Sequence, residues 1–151
     1  MKTLSSAENL ATIRSRIALV SPTDASRWGS MSVHQMLHHL TEAFACPLGE
    51  FAVAPFRPSF IPVSMFKWLA LRAPIQWPRG VQAPPEIRQP KPNSIFTDFI
   101  ADRERVLNHL DRFVRVEDPW PPHPIFGPLT RAEWMRWGYL HCDHHLRQFG
   151  R

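Results

Sequence analysis

Apolar side chains recur with a helical period in four stretches of the chain. These stretches predict helices over approximately residues 5–20, 32–46, 94–115 and 130–149. Within each one, apolar residues lie three or four positions apart, which places them along one side of a helix. No stretch alternates convincingly as a half-buried strand does. We therefore expect an all-α fold, an antiparallel four-helix bundle that forms a single domain over residues 1–151.

Three of these helices are predicted to begin with a capping box. In this motif a Ser or Thr and an acidic or amide residue three positions later satisfy each other's backbone amides. The pairs are Ser5–Glu8, Ser32–Gln35 and Thr130–Glu133. Because such pairs mark helix N-termini, they predict where the first, second and fourth helices start.

A proline-rich excursion, residues 47–92, separates the second and third predicted helices and holds most of the 16 prolines. Its middle, "FIPVSMFKWLALRAP", predicts a short extra helix that is apolar nearly all round. Such a helix is usually buried against the rest of the fold or against another subunit. A lid over a site and a contact with a membrane surface are the alternatives. The following "QAPPEIRQPKPN" predicts a proline-stiffened connector.

Composition narrows the classes of partner. The net charge is +5, from 18 Lys and Arg against 13 Asp and Glu, and the basic residues are scattered. Without a basic block or an aromatic-interleaved strand motif, we expect no nucleic-acid partner. No signal-like or membrane-spanning apolar segment is present, so no membrane association is expected. Two cysteines make a poor disulfide framework, which favours a cytoplasmic location.

The last predicted helix ends in "YLHCDHHLRQFGR", with three histidines in five positions. At 100° per residue, His141 and His145 lie about 20° on either side of the apolar face centred on Trp134. Two neutral rings one turn apart on such a face need partners for four ring nitrogens. A shared divalent metal, with further hydrogen bonds to the outer nitrogens, would supply those partners.

The second predicted helix offers a third ring. His39 flanks the apolar stripe, whereas His34 and His38 lie off it and are expected to be solvated. Three imidazoles from His39, His141 and His145 would bind a divalent transition metal and leave a position for water or substrate. An arrangement without metal, with the histidines satisfied by one another and by water, stays open.

Other residues are candidates for a place beside this site. Arg103 lies at the centre of the apolar stripe of the third predicted helix. It could bind an anionic substrate group. Alternatively, its aliphatic stem packs while its guanidinium reaches solvent or a carboxylate. Trp134 is expected in the core, with lining of the cavity mouth as the alternative. His144 lies roughly 80° off the stripe, so a supporting role or a surface position both fit. Cys142 is expected to pack, and Cys46 lies too far along its helix to join the ligands.

At this point the sequence resembles a known group, the DinB/YfiT-like superfamily of metal-binding four-helix bundles. In "RWGSMSVHQMLHHLTEAF" a tryptophan precedes a capped helix, and a histidine two turns in stands before a leucine. Those residues are Trp28, Ser32 and His39. The segment "HPIFGPLTRAEWMRWGYLHCDHHLRQFG" is similar to the closing helix with H-x-x-x-H, here His141 and His145. The detailed pattern of this closing segment looks most like one branch of the superfamily, whose function is unassigned.

The resemblance implies a divalent metal, zinc or nickel, held by the three histidines. Superfamily members include transferases and isomerases that use small cellular thiols, and some look like hydrolases. We therefore expect a metal-dependent enzyme with a small-molecule substrate, and a low-molecular-weight thiol among its candidate partners. The alternative is a non-catalytic metal-binding or stress-related helical protein. A homodimer formed through the apolar excursion is a further expectation.

Overall fold

The computed structural model describes residues 1–50, 52–55, 62–73, 76–80 and 98–151. Within these ranges the chain forms five helices and no strand, so the predicted all-α class is confirmed there. The helices are α1 (Ala7–Ala18), α2 (Val33–Ala45), α3 (Val63–Arg72), α4 (Phe99–Phe113) and α5 (Arg131–Gln148). The predicted connector at 82–93 and the predicted helix start at 94–97 lie outside the described residues.

Two of the three predicted capping boxes are formed. They are Ser32 with Gln35 at α2 and Thr130 with Glu133 at α5. The prediction for α1 is wrong by one residue. Ser6, not Ser5, is the N-cap, and its side chain accepts a hydrogen bond from the backbone amide of Asn9. The hydroxyl of Ser6 therefore satisfies one of the backbone amides at the start of α1 that have no partner within the helix.

The helices pack around one apolar core. α2 packs along α4, α1 packs against α5 and α4, and α5 also contacts α2 and α3. Aromatic side chains fill the centre, where Phe44 of α2 meets Phe113 of α4 and Trp137 of α5. Burying a side chain of this size stabilises the fold by about 1.5–3 kcal/mol. This core fixes the faces that α2 and α5 turn toward each other, and both carry histidines.

The predicted inward face of α4 is confirmed in part, since Val106 and Leu110 of the predicted stripe are buried, but its centre is misplaced. Ile100 is 58 % exposed and Arg103 is half-buried, whereas the buried residues of α4 are Asp102, Val106, His109, Leu110 and Phe113. The apolar residues near the start of the helix biased the predicted stripe. Asp102 can occupy an inward position because it pairs with Arg105, and His109 because it contacts the carboxylate of Glu50. A count of apolar residues does not register such contacts.

The extra helix predicted within the excursion is present as α3. Leu71 is its buried residue, while Met65, Trp68 and Leu69 are 48 %, 56 % and 36 % exposed. The α3 helix is fixed on α5 by polar contacts. Lys67 forms a salt bridge with Glu133, and the backbone carbonyl of Leu71 accepts a hydrogen bond from Arg136. Burial of α3 against the rest of the described chain is therefore limited to one side, and burial against another subunit stays a prediction.

Candidate metal centre

Three histidine rings converge between α2 and α5. His39 comes from α2, and His141 and His145 come from successive turns of α5. Their three ligand atoms all lie within 4.8 Å of one another. The Nε2 atoms of His39 and His141 are 2.9 Å apart. The structure thus brings together the three residues that the sequence analysis selected as metal ligands.

Burial distinguishes the three rings. His39 and His141 are 7 % and 8 % exposed, while His145 is half-buried. The two inner rings are held by the packing of α2 against α5, and the third lies nearer the surface. A ligand would therefore approach the group from the side of His145.

The ring of His145 is oriented by a chain of hydrogen bonds. Its Nδ1 donates to Oε1 of Gln148 over 3.0 Å, and Nε2 of Gln148 donates to the backbone carbonyl of Trp28 over 2.8 Å. With Nδ1 acting as the donor, the lone pair of a neutral His145 lies on Nε2. A hydrogen bond of this kind on the outer nitrogen is the usual support of a metal-binding histidine.

A glycine makes room for that support. Gly29 has a φ of +74°, and a Cβ added there would lie 3.1 Å from Nε2 of Gln148. A side chain at this position would be strained by its own backbone and would crowd the amide of Gln148. Gly29 therefore lets the chain after Trp28 pass close to the end of α5.

The two rings of α5 are held in the neutral form. Burial lowers the pKa of His141 well below its ordinary value, and the neighbouring rings of His145 and His39 lower it further. Burial also lowers the pKa of His145 well below that value, with the nearby His39 and His144 adding to the effect. Neutral imidazole is the form that binds a metal ion, so the electrostatic setting suits that role.

The donor set fits a divalent transition metal. Imidazole nitrogens bind zinc at about 2.0–2.1 Å, which places two ligand nitrogens of a tetrahedral site about 3.3 Å apart. The observed spacing, 2.9 Å for one pair and at most 4.8 Å overall, brackets that value. Among the described residues, the metal-binding group contains these three histidines and no cysteine or carboxylate. Three nitrogen donors leave a coordination position for another ligand.

Neither cysteine is suited to join them. Cys142 is fully buried, and burial raises the pKa of its thiol to about 12. Burial also raises the pKa of Cys46. Both thiols therefore stay protonated near neutral pH, whereas a metal binds the thiolate. The prediction that Cys142 packs in the core is confirmed by its place there.

Aromatic side chains form a wall beside the three histidines. The ring of Trp77 lies 6.2 Å from that of His141 and 6.2 Å from that of His144. The ring of Trp28 lies 5.9 Å from His144, which in turn lies 5.2 Å from His145. We call Trp28, Trp77 and His144 the aromatic wall. Because Trp77 belongs to residues 47–92, part of the excursion lines the candidate site.

The other two histidines of α2, His34 and His38, were expected to be solvated, and this prediction is wrong. His34 and His38 are both half-buried, and each has a carboxylate nearby. Nδ1 of His34 lies 3.7 Å from Oδ2 of Asp102, and Nδ1 of His38 lies 3.6 Å from Oε1 of Glu42. His34 has this neighbour because Asp102 of α4 faces inward, toward α2.

Arg103 is not brought to the three histidines. Its guanidinium donates to the backbone carbonyls of Ala18 and Val20, over 2.9 and 3.1 Å, at the end of α1. There it lines a surface pocket of about 640 Å³. These carbonyl contacts are typical of a side chain that caps a helix C-terminus. Trp134 is 1 % exposed and stacks on Trp120, which places it in the core.

Two buried histidines, His109 and His123, were missed in the sequence analysis. His123 is 6 % exposed, and its Nδ1 accepts hydrogen bonds from the backbone amides of Ile125 and Phe126 over 3.0 and 3.3 Å. Burial lowers the pKa of His123 to about 3. Its ring packs on Trp137, whose ring lies 5.0 Å from that of His141. The turn "HPIFG" was the available signal, with its Pro after the histidine and its Gly three residues later.

No helix in the described ranges is long and apolar enough to cross a membrane. Comparisons with curated proteins and with solved structures gave no match. A family model described as "Protein of unknown function (DUF1569)" matches residues 4–151. Since that match spans nearly the whole sequence, the chain belongs to the DUF1569 family.

Proposed function

We propose that the chain is a metal-dependent enzyme whose His39, His141 and His145 bind one divalent transition metal, zinc or nickel. The observation that carries this proposal is the convergence of three ring nitrogens within 4.8 Å. Burial that keeps His141 and His145 neutral supports it, because a protonated ring has no lone pair to offer. The support of His145 by Gln148 is a second favourable feature.

We further propose that α1, α2, α4 and α5 form a DinB/YfiT-like four-helix bundle. The packing of α2 along α4 and of α1 against α5 supports this assignment. In such a bundle, ligands project inward from facing helices, as His39 and the two histidines of α5 do. In this proposal α3 and the rest of residues 47–92 form an excursion beside the bundle.

The chemistry divides between the ion and the chain. A divalent transition metal supplies Lewis acidity, which lowers the pKa of a water or thiol that it binds. The chain supplies orientation and shielding. Gln148 fixes the ring of His145, and the aromatic wall keeps water from one side of the site. The Nδ1 atom of His144 is buried and has no hydrogen-bond partner among the described residues.

Three protein ligands and one remaining position suit a reaction at the metal more than a purely structural role. Transfer that uses a low-molecular-weight thiol and metal-assisted hydrolysis of a small molecule both need such a position. A non-catalytic metal-binding protein remains the rival function. It would require a fourth protein ligand that closes the site.

Metal content tests the first part of the proposal. Elemental analysis of protein purified without a metal-affinity tag should give about one divalent ion per chain. His141→Ala and His145→Ala should lose that ion. His38→Ala is the matched control, because His38 lies next to His39 on α2 but outside the ligand group. Equal metal content in all four proteins would contradict the proposal, and circular dichroism would show that the variants stay helical.

A cobalt-substituted protein tests whether the remaining position is open. Addition of a small thiol should change the visible absorption of the cobalt if the thiol binds the metal. An unchanged spectrum with tetrahedral cobalt would instead favour the closed, non-catalytic site.

Two further proposals concern location and assembly. Free Cys46 and Cys142 suit a reducing compartment, which favours the cytoplasm. The exposed Met65, Trp68 and Leu69 of α3 support a homodimer contact at that helix. Size-exclusion chromatography of the wild type and of Trp68→Glu would test it. A monomeric wild type would contradict the dimer.

A further inference from the structure

An arginine stacks on the outer end of the aromatic wall. The guanidinium carbon of Arg79 lies 4.6 Å from the centre of the Trp28 ring. Arg79 is exposed, and it forms no salt bridge with any carboxylate of the described residues. A guanidinium over an indole keeps its charge and gains a fixed plane, because it lies over the ring face.

The contacts of Trp28 connect this arginine to the metal centre. The Trp28 ring lies against His144, and His144 lies against His145, the most exposed of the three proposed ligands. The backbone carbonyl of Trp28 also accepts the hydrogen bond from Gln148 that orients His145. Arg79 is therefore connected through Trp28 and His144 to His145, the ring nearest the surface.

Another arginine near this side, Arg147, has its partners within the protein. Arg147 donates to Oδ2 of Asp143 and to Oε1 of Gln76, over 2.8 and 2.9 Å. Its charge is balanced by Asp143, and it holds the excursion at Gln76, two residues before Pro78. Arg79 differs because its hydrogen-bond donors have no acceptor among the side chains described. An exposed, pre-oriented guanidinium of this kind suits an incoming anion.

We propose that Arg79, held on Trp28, is a subsite for the carboxylate of a small ligand whose other end reaches the metal centre. The five N–H donors of a guanidinium match a planar carboxylate in a two-pronged contact. The indole of Trp28 fixes the plane of the group, which reduces the ordering that binding requires. This inference rests on the proposed function, because the metal centre defines where the other end of the ligand lies.

Matched thiols test the subsite in the cobalt-substituted protein. Mercaptopropionate and mercaptoethanol share a thiol at one end and differ at the other in a carboxylate or a hydroxyl. Titration followed by cobalt absorption should show that the carboxylate-bearing thiol binds about tenfold more tightly. The preference should shrink at high salt, because Arg79 is exposed.

Variants assign the preference to the residue. Arg79→Gln should reduce it to about twofold or less, since a neutral amide cannot attract the carboxylate in the same way. Arg72→Gln is the matched control, because Arg72 is an exposed arginine on α3 whose removal changes the net charge equally. Comparing the ratio of the two thiols within each protein cancels their different acidities.

The outcomes separate the subsite from the proposed function. Equal affinity of the wild type for the two thiols, or an unchanged preference in Arg79→Gln, overturns the subsite and leaves the metal centre intact. If no thiol alters the cobalt spectrum, the proposed function fails, and a second measurement decides the subsite. In metal-free protein, mercaptopropionate should shift the indole N–H resonance of Trp28 in the wild type and not in Arg79→Gln. Absence of that shift would also overturn the subsite.

Discussion

Histidines along α2 and its neighbours fall into two groups with different surroundings. The metal-centre group, His39, His141 and His145, lies among other rings, and no carboxylate from the described part of the chain joins its ligand atoms. The carboxylate-paired group consists of His34, His38 and His109. Its members lie near Asp102, Glu42 and Glu50, at 3.7, 3.6 and 3.1 Å. His38 and His39 are adjacent in sequence, yet they belong to different groups.

The difference lies in the neighbours that each group contacts. Burial among other rings disfavours a charged imidazole at His141 and His145. Both nitrogens of His109, by contrast, lie at hydrogen-bond distance from acceptors, the carbonyl of Arg105 and the carboxylate of Glu50. One group is therefore suited to bind a cation, and the other is paired with carboxylates. Sequence neighbours can differ in this way because a helix turns by 100° per residue.

The largest change in the free energy of unfolding is expected from His123. Like His141 and His145, it is a buried histidine that stays neutral in the fold. Its pKa is near 6.5 in an unfolded chain and lowered to about 3 in the fold. Between those values the unfolded chain binds the proton and the native ring does not. The stability contributed by His123 is therefore complete above pH 6.5 and is lost as the pH falls toward 3. One such group changes the free energy of unfolding by about 1.4 kcal/mol per pH unit.

Urea unfolding at a series of pH values checks this expectation. His123→Asn keeps an acceptor for the amides of Ile125 and Phe126 but cannot be protonated in this range. The wild type should lose stability more steeply than the variant as the pH is lowered from 6.5. Parallel curves for the two proteins would show that the ring takes up its proton without unfolding.

The next effect concerns the hydrogen bonds that orient the metal-centre group. Gln148→Leu removes the acceptor for Nδ1 of His145 and the donor for the carbonyl of Trp28. Loss of such support should weaken metal binding about 10–100-fold. Competition with a chromophoric chelator measures that change. Gln148→Glu is the control, since it keeps an acceptor for His145 and should retain most of the affinity. Equal affinity of Gln148→Leu and wild type would show that Gln148 does not orient the ring.

Much of the metal-centre group was predictable because it depends on local geometry. The capping boxes set the start of α2 and α5, and a known start fixes which residues share a face. His141 and His145 then lie one turn apart on the same side as Trp134 and Trp137. The position of His39 beside the apolar stripe was sufficient to bring it toward α5. Few long-range contacts were needed for these inferences.

The carboxylate-paired group and the aromatic wall could not be predicted in the same way. The inward position of Asp102 depends on its contact with His34 of α2, so apolar periodicity did not register it. Trp77 and Arg79 reach the site because of the path of the excursion, and spacing along the sequence carries no signal of that path. His123 depends on a turn closed by backbone bonds to Gly127, whose φ is +66°. Each of these features comes from tertiary contacts.

Among the carboxylates that contact the carboxylate-paired group, Asp102 should contribute more to the free energy of unfolding than Glu50. Its carboxylate accepts a hydrogen bond from Arg105 over 2.9 Å, lies near His34, and is 7 % exposed. Asp102→Asn keeps the shape and removes the charge, so we expect a loss of about 1–2 kcal/mol in the free energy of unfolding. Metal content should stay that of the wild type. Loss of the ion in this variant would contradict the separation of the two groups.

Glu50 should give the smallest effect, because its side chain is 37 % exposed. Burial raises its pKa, but hydrogen bonds and charge from His109 and Arg112 outweigh burial and leave the pKa below the ordinary 4.5. The stability from this contact is therefore present above pH 4.5 and lost as the pH falls through the lowered pKa. Glu50→Gln should cost less than about 1 kcal/mol at neutral pH and low salt.

The pH and salt dependence of that small loss distinguish the contact from packing. The difference between wild type and Glu50→Gln should vanish in acid and shrink at high ionic strength, because it depends on an exposed charge. Urea unfolding at neutral and acid pH, with and without added salt, measures both changes. If the difference in the free energy of unfolding stays constant, Glu50 stabilises the fold through its shape and not through its charge. His109 would then not belong to the carboxylate-paired group.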